Sequence, residues 1–354
     1  MNKYQIFETE KDKHNAGSKA VSDVGTIAQS LGYQKCLLHF NNDKDGTLPK
    51  IERQITFYHD WNHVYKEIED NALVLIQNPY HHGQLTRNKT LSNLKDKKNC
   101  HFISLIHDVE EIRKYRYSDY YKEEFEFMKN LSDVFIAHND RMKQWFIEKG
   151  FDTDRLVTLE IFDYLQNKDT SVYPVFDKSI TIAGNLNTQK SNYIRELSEL
   201  QGVEVNLYGS NYDDSLNTYP FIHYYGSFSA SEIPMKLNKG FGLVWDGSSV
   251  DGCKGPAGEY LKYNNPHKLS LYLSSGLPVV IWDQAAEAKY VTDNHVGITV
   301  SSLRELSSVF ETITSEQYQK MCRNAQLISG KLKEGYYTKK AILTAEKIIK
   351  DKVL

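Results

Sequence analysis

Apolar positions along the chain fall into short runs separated by longer stretches at helical spacing. Residues 72–77 (ALVLIQ), 101–106 (HFISLI), 134–137 (VFIA) and 203–208 (VEVNLY) are apolar enough to predict strands buried in a parallel sheet. Shorter runs at 4–7, 36–40, 156–159, 161–164, 179–183, 222–225, 241–245 and 297–300 predict further strands. Between them, Ala20, Val24, Ile27, Ala28 and Leu31 repeat as on a helix that stops at Gly32. Helices are also predicted over 118–131, 140–149 closed by Gly150, through Tyr193, Ile194 and Leu197, and over 303–310, 315–332 and 338–349. A further helix over 229–237 is marked by Ser229 as N-cap with Glu232 three residues on.

Strand and helix alternate through the chain, and the alternation restarts at residue 179 after a polar connection over 166–177 that includes Pro174. Two α/β halves are therefore expected, over 1–170 and 171–335, with a terminal helix in 336–354 crossing back to the first. Three successive strands of the first half end in histidine-bearing polar loops, at His81-His82, His107-Asp108 and His138-Asn139. In a doubly wound sheet such loops emerge at the carboxyl edge, where ligands bind.

The stretch 262–281 (KYNNPHKLSLYLSSGLPVVI) holds the densest set of signals. Asn264-Asn265-Pro266 opens a helix with Pro266 near its first position, Leu269, Tyr272 and Leu273 carry the apolar face, and Gly276 closes it before an apolar run over 277–281. Asn264, His267 and Lys268 thus fall at a helix N-terminus, where free N–H groups and the macrodipole favour an anion. A solvated surface lysine is the plain alternative for Lys268.

Composition narrows the function classes. The 354 residues are 40% hydrophobic and 25% charged, with a formal net charge of −3, which gives no support for a nucleic-acid partner. Cys36, Cys100, Cys253 and Cys322 lie far apart without a C-x-x-C pair, so neither a zinc site nor a disulfide framework is indicated, and no metal is expected at the histidine loops. No apolar run approaches a membrane span, and the first residues lack the apolar core of a signal peptide; a cytoplasmic protein is expected.

In the second half, 184–190 (GNLNTQK) forms a strand-loop-helix turn in which Gly184 allows close backbone approach, Asn185 is a further candidate for the donor site, and Lys190 supplies charge for a phosphate, a solvated lysine being its alternative. Tyr208-Gly209 and Tyr225-Gly226 offer aromatic faces and exposed amides for a base. Ordinary strand-end packing is the alternative for both tyrosines. Gly184-Asn185-Leu186-Asn187 lacks the G-x-G-x-x-G spacing of a dinucleotide dehydrogenase. In the first half His107 and Asp108 are the candidates for a general base, although Asp108 also suits the N-cap of a helix starting at Val109.

Four segments, HNAGSKAVSDVG at 14–25, LIHDVEEIR at 105–113, FGLVWDG at 241–247 and YNNPHKLSLYLSSGLPVV at 263–280, make nearly the whole chain resemble a GT-B glycosyltransferase. More narrowly, it resembles the bacterial glucosyltransferase 3 subfamily that extends glycans on serine-rich repeat adhesins. The resemblance implies two Rossmann-like domains facing across a cleft, a UDP-sugar donor with no further cofactor, no essential metal, and a homo-oligomer, dimer or tetramer. Gly17 and Ser18, expected in the small polar loop before the first helix, let that helix's N-terminus approach the donor across the cleft; a mere tight turn is the alternative. One departure stands out: Leu271 occupies the place where the broader retaining GT-B enzymes carry a ribose-binding glutamate. The expected reaction is transfer of a hexose, glucose from UDP-glucose, to a hydroxyl of a sugar on a serine-rich protein or a saccharide acceptor. The alternatives are a galactosyl- or galactofuranosyltransferase of surface polysaccharide synthesis and a non-catalytic GT-B partner protein.

Overall fold

The computed structural model describes residues 1–9, 16–40, 46–166 and 173–353, with side chains in the first helix from Lys19 onward. The first unit alternates β1 (Lys3–Thr9), α1 (Ala16–Ser30), β2 (Gln34–His39), α2 (Thr47–Glu67), β3 (Leu73–Asn78), α3 (Arg87–Lys98), β4 (His101–Ile106), α4 (Glu110–Arg113), α5 (Asp119–Leu131), β5 (Val134–Ala137), α6 (Asp140–Glu148) and β6 (Leu156–Thr158). The second comprises β7 (Val175–Ala183), α7 (Tyr193–Glu196), β8 (Glu204–Tyr208), β9 (Ile222–Tyr224), β10 (Lys239–Val244), α8 (Gly255–Tyr260), α9 (His267–Ser274), β11 (Val279–Trp282), α10 (Ala288–Asp293), β12 (Gly297–Val300), α11 (Leu306–Thr312) and α12 (Ser315–Lys333). A last helix, α13 (Tyr336–Val353), completes the chain.

Both sheets have six strands, and every pairing is parallel. Their orders are β2-β1-β3-β4-β5-β6 and β12-β11-β10-β7-β8-β9. The second is the doubly wound order in which the chain reverses direction across the sheet between its first and fourth strands, here β7 and β10, and leaves a crevice at their carboxyl ends. Burial on both faces explains the continuous apolar runs: Leu73, Val74, Leu75 and Ile76 of β3, and Val279, Val280 and Ile281 of β11, are all fully buried.

Helix α13 returns to the first unit. Ala341, Ile342, Ala345 and Ile349 pack with Ile103, Leu105, Val134 and Ile136 of the first sheet. Its N-terminus is held by Asp163, whose carboxylate accepts from Tyr337 N at 3.2 Å and Thr338 N at 2.6 Å. Two N–H groups without intrahelical partners are thereby satisfied.

Some elements differ from the pattern. Helix α1 begins at Ala16, so Gly17 and Ser18 belong to its first turn rather than to a loop before it, while His14 and Asn15 lie outside the described residues. The expected helix over 229–237 is reduced to a 3-10 turn at Ile233–Met235, because Pro234 has no N–H to extend it. The Ser229 hydroxyl also donates to the Glu232 carboxylate at 2.6 Å instead of capping the backbone. Residues 161–164 form no strand; Ile161, Phe162 and Tyr164 are buried between the units instead. The stretch 248–263 contains α8, and Pro266 is the N-cap of α9 rather than a helical residue.

Candidate functional site

The crevice at the carboxyl ends of β7 and β10 is lined by backbone. Gly184 and Gly209 follow β7 and β8 and press together so closely that a Cβ on Gly209 would lie 1.6 Å from Gly184 O. Gly209 has φ +148° and Gly184 φ +142°, a range few other residues adopt. Gly209 N donates to Gly226 O at 2.9 Å, so the loops after β7, β8 and β9 form one continuous layer. Asn185 shapes its turn rather than reaching outward: Oδ1 accepts from Asn187 N and Asn211 Nδ2, each at 3.0 Å.

Lys268, on the first turn of α9, extends into this crevice. Its stem passes over Gly184, and its ammonium donates to Trp245 O, just past the end of β10, at 3.2 Å. No carboxylate among the described residues pairs with it. A cation at a helix N-terminus is disfavoured by the macrodipole unless an anion is there to meet both. Two neighbouring atoms also lack partners: Asn264 Oδ1 and His267 Nε2 are buried without a hydrogen bond. Leu271, farther along α9, is a buried apolar side chain.

Lys190 crosses between the units, its ammonium 5.0 Å from the centroid of the Tyr115 ring. Tyr208 and Tyr225 stack on one another, centroids 4.9 Å apart and planes at 13°. Tyr208 is 6% exposed, and its hydroxyl meets Lys236 O, so the aromatic face expected to be open to a base is covered by Tyr225. Tyr225 is exposed and accepts from Lys239 Nζ at 3.2 Å.

On the facing edge of the first sheet, three histidines converge on Phe162. His107 stacks on it at 5.3 Å, and His138 and His267 meet it edge-on at 5.2 and 6.2 Å. Burial pushes His107 and His267 down to about 3 and His138 to about 4, so all three are neutral at ordinary pH. His107 Nε2 bonds Gln77 Oε1 at 2.7 Å, and Gln77 directs its amide N–H to Val21 O, so His107 carries its proton on Nε2 and leaves Nδ1 bare. His138 is 1% exposed and joins the units: Nε2 donates to Ile106 O, and Nδ1 accepts from Asn265 N, each at 3.0 Å.

Asp108 does not cap α4, whose N-cap is Val109. Its carboxylate instead accepts from Arg113 Nη1 at 2.7 Å and bonds the Tyr260 hydroxyl, which itself accepts from Val109 N at 3.0 Å. Burial raises Asp108 to about 6 against the pull of Arg113.

A second clasp lies nearby. Asn139 Nδ2 donates to Glu287 Oε1 at 2.8 Å and to Tyr263 O at 3.0 Å, while Asn139 Oδ1 caps α6 by accepting from Met142 N. Glu287 is buried, which raises its carboxyl to about 8.

The structure thus gathers Gly184, Asn185, Gly209, Asn264, His267 and Lys268 on the second unit, and His107 and Asp108 opposite. Tyr260, Arg113 and Glu287 escaped the sequence reading. Gly255-Pro256 is a helix-opening signal that would have found α8 and with it Tyr260. Glu287 carries no local signal at all. Among the described residues no group of three or more His, Cys, Asp or Glu is arranged to hold a metal ion, and no helix is long and apolar enough to cross a membrane.

Residues 3–161 match the family described as Glucosyltransferase 3-like, N-terminal domain, and residues 180–345 the Glucosyltransferase 3-like, C-terminal domain. The chain is 37% identical to the Beta-1,6-galactofuranosyltransferase WbbI of Escherichia coli (strain K12) over 254 residues, 70% of this chain and 71% of that one. It is 25% identical to Glucosyltransferase 3 of Streptococcus gordonii over 327 residues, 92% of each. Among solved structures, Anabaena Alr3699/HepE in complex with UDP superposes with a TM-score of 0.61 at 12% identity, covering 99% of both chains.

Proposed function

Because the chain belongs to the Glucosyltransferase 3-like family of GT-B fold and is a nucleotide-sugar-dependent hexosyltransferase, we propose that it transfers a galactofuranosyl unit from UDP-galactofuranose to a hydroxyl of a surface glycan. Residues 171–335 hold the donor, and residues 1–170 present the acceptor. Lys268 carries the donor assignment: it is a cation without a carboxylate partner among the described residues, at a helix N-terminus, in the crevice where the second sheet reverses its order.

In this reading the diphosphate lies against Lys268 and the first turn of α9, with the glycine-turn amides after β7 and β8 around it. As the sugar–phosphate bond breaks, negative charge grows on the departing UDP. A fixed ammonium and fixed N–H dipoles stabilise that charge without reorganising. Lys190, reaching toward Tyr115, brings a second cation to the mouth of the cleft. With Leu271 buried and apolar, the ribose is held from another element.

The acceptor hydroxyl must lose a proton as it attacks. His107 Nδ1 is bare, but with the ring near 3 it is a weak base at neutral pH. Asp108, raised to about 6, is matched far better, and Arg113 and Tyr260 fix its direction. Asp108→Asn is therefore expected to lower kcat about 10²-fold or more with little change in the donor KM.

Identity to a galactofuranosyltransferase at 37%, against 25% to a glucosyltransferase, favours galactofuranose over glucose. Glucosyl transfer from UDP-glucose to a glycan on a serine-rich protein is the second reading, supported by the 92% coverage of that relative. A panel of UDP-galactofuranose, UDP-galactose and UDP-glucose with saccharide acceptors decides between them. Preferential turnover of UDP-galactofuranose is expected. Preference for UDP-glucose selects the second reading, and turnover of neither sugar defeats both.

A further inference from the structure

A strip of alternating cations and aromatic rings crosses the carboxyl edge of the first unit, and the donor site described above uses only its far end. Phe40 follows β2, and the ring of His82, in the loop after β3, stacks on it with centroids 4.3 Å apart and planes at 17°. The Arg53 guanidinium of α2 lies over the same Phe40 ring at 5.8 Å. His81 carries the strip onward: its Nδ1 meets the Tyr121 hydroxyl at 3.1 Å, and Arg116, between α4 and α5, donates to that hydroxyl. Next comes Tyr115, 54% exposed, with three cations around its ring: Arg113 at 5.4 Å, Arg116 at 5.8 Å and Lys190 of the second unit at 5.0 Å. Arg113 also holds the Asp108 carboxylate at 2.7 Å, so the strip leads from α2 to the proposed base.

Positive charge is concentrated along it. Burial first, and then the cations Arg53 and Arg116, hold the His82 imidazole below its ordinary value. Burial and Arg116 press His81 the same way, down to about 4, and Glu110 is the acid that opposes them. Glu110 is already engaged, since it is 4% exposed and its carboxylate accepts from Arg113 Nη1 at 3.0 Å and Arg116 N at 2.9 Å. His81, Tyr115, Arg116 and Lys190 are exposed, and Phe40, Arg53 and His82 are half-buried, so a ligand can reach the strip from solvent. Like charges held this close repel one another until an anion joins them. A guanidinium takes the oxygens of a carboxylate or phosphate side by side, and an aromatic face packs on an apolar ring face. The occupant that satisfies both is a saccharide bearing an oxyanion.

We propose that this strip binds an acidic segment of the acceptor glycan, its carboxylate or phosphate held by Arg53 and Arg116 beside His82 and a sugar face packed on Tyr115. The assignment of the occupant as acceptor rests on the glycosyltransferase reading; the binding itself is measured separately. The full chain, saturated with UDP so that the donor crevice is filled, is titrated with methyl β-D-glucopyranoside, methyl β-D-glucuronide and glucose 6-phosphate by saturation-transfer NMR. At least one of the two anions is expected to bind about tenfold or more tighter than the neutral glucoside, by a margin that shrinks as salt is raised. Which of the two does so tells a carboxylate from a phosphate. Arg53→Gln and the exposed Arg116→Gln should each weaken the anion about tenfold and leave the neutral glucoside, the Kd for UDP and the melting temperature unmoved. Equal affinity for charged and neutral saccharides overturns the proposal, as does wild-type affinity for the anions in both variants. A Kd for UDP that weakens in Arg116→Gln as much as that of the anion overturns it too, because the strip would then serve the donor. Absence of UDP binding by the wild type counts against the donor site, and the saccharide titration still judges the strip.

Discussion

At the carboxyl edge of the first sheet, side chains are engaged with one another and with the second unit: His107 with Gln77, His138 with Asn265, Asp108 with Arg113 and Tyr260. The corresponding edge of the second sheet is made of glycine turns and a lysine that donates to a carbonyl oxygen, Trp245 O. The same fold has therefore put its two edges to different uses. One is filled by groups that hold the units together and fix the Asp108 carboxylate, and the other presents glycine turns and a positive charge.

The largest effect that tests this contrast is expected at Gly209. Gly209→Ala places a Cβ 1.6 Å from Gly184 O at φ +148°, and a loss of about 4 kcal/mol in chemical denaturation, or failure to fold, is expected. Gly226→Ala is the control: no atom lies within 4 Å of its Cβ, so only the strain of φ +92°, about 1–2 kcal/mol, should appear. Equal stability of the two variants would remove the close glycine layer from the account.

On the side-chain edge, pH is the probe. Glu287 holds its proton to about pH 8 in the folded chain against an ordinary value near 4.5, so the folded state carries the extra proton across that window, and stability falls as pH rises through it. About 1–2 kcal/mol should be lost between pH 6.5 and 8.5, and Glu287→Gln should flatten the upper part of that slope. Asp163 and Glu124, both raised to about 7, act in the same direction. The histidines have the opposite sign. With folded values of about 3 to 4 against an ordinary 6.5, they take up protons first in the unfolded chain, so stability falls as pH drops from 6.5. A stability curve that rises steadily from pH 5 to 9 would contradict the buried clasp.

The smallest effect is expected at Tyr260→Phe, which leaves the Val109 N–H without its acceptor and frees one bond to Asp108. About 1 kcal/mol of stability should be lost. An unchanged melting temperature would mean that this bridge does not join the units.

The difference between the edges also explains what the sequence disclosed. Strands such as β4 and β5 were legible to the residue, since buried parallel strands write themselves as continuous apolar runs. The place of Lys268 on the first turn of a helix was legible because a helix N-terminus has a local signature. The Gly184–Gly209 layer and the Asp108–Tyr260 bridge were not, because each joins residues far apart in sequence. Tyr208 shows the converse error: a strand-end tyrosine looks available until Tyr225, brought alongside by the sheet, covers it. The helix expected over 229–237 failed on Pro234, a local stop that the capping pattern outweighed.

The central claim is that Lys268 and the first turn of α9 hold the donor diphosphate. Calorimetric titration of UDP into the wild type and Lys268→Ala, at matched salt and with melting temperatures recorded, tests it most directly. The account predicts a Kd at least tenfold weaker in the variant, with an unchanged melting temperature of the free protein. UDP binding of wild-type strength in Lys268→Ala would contradict it.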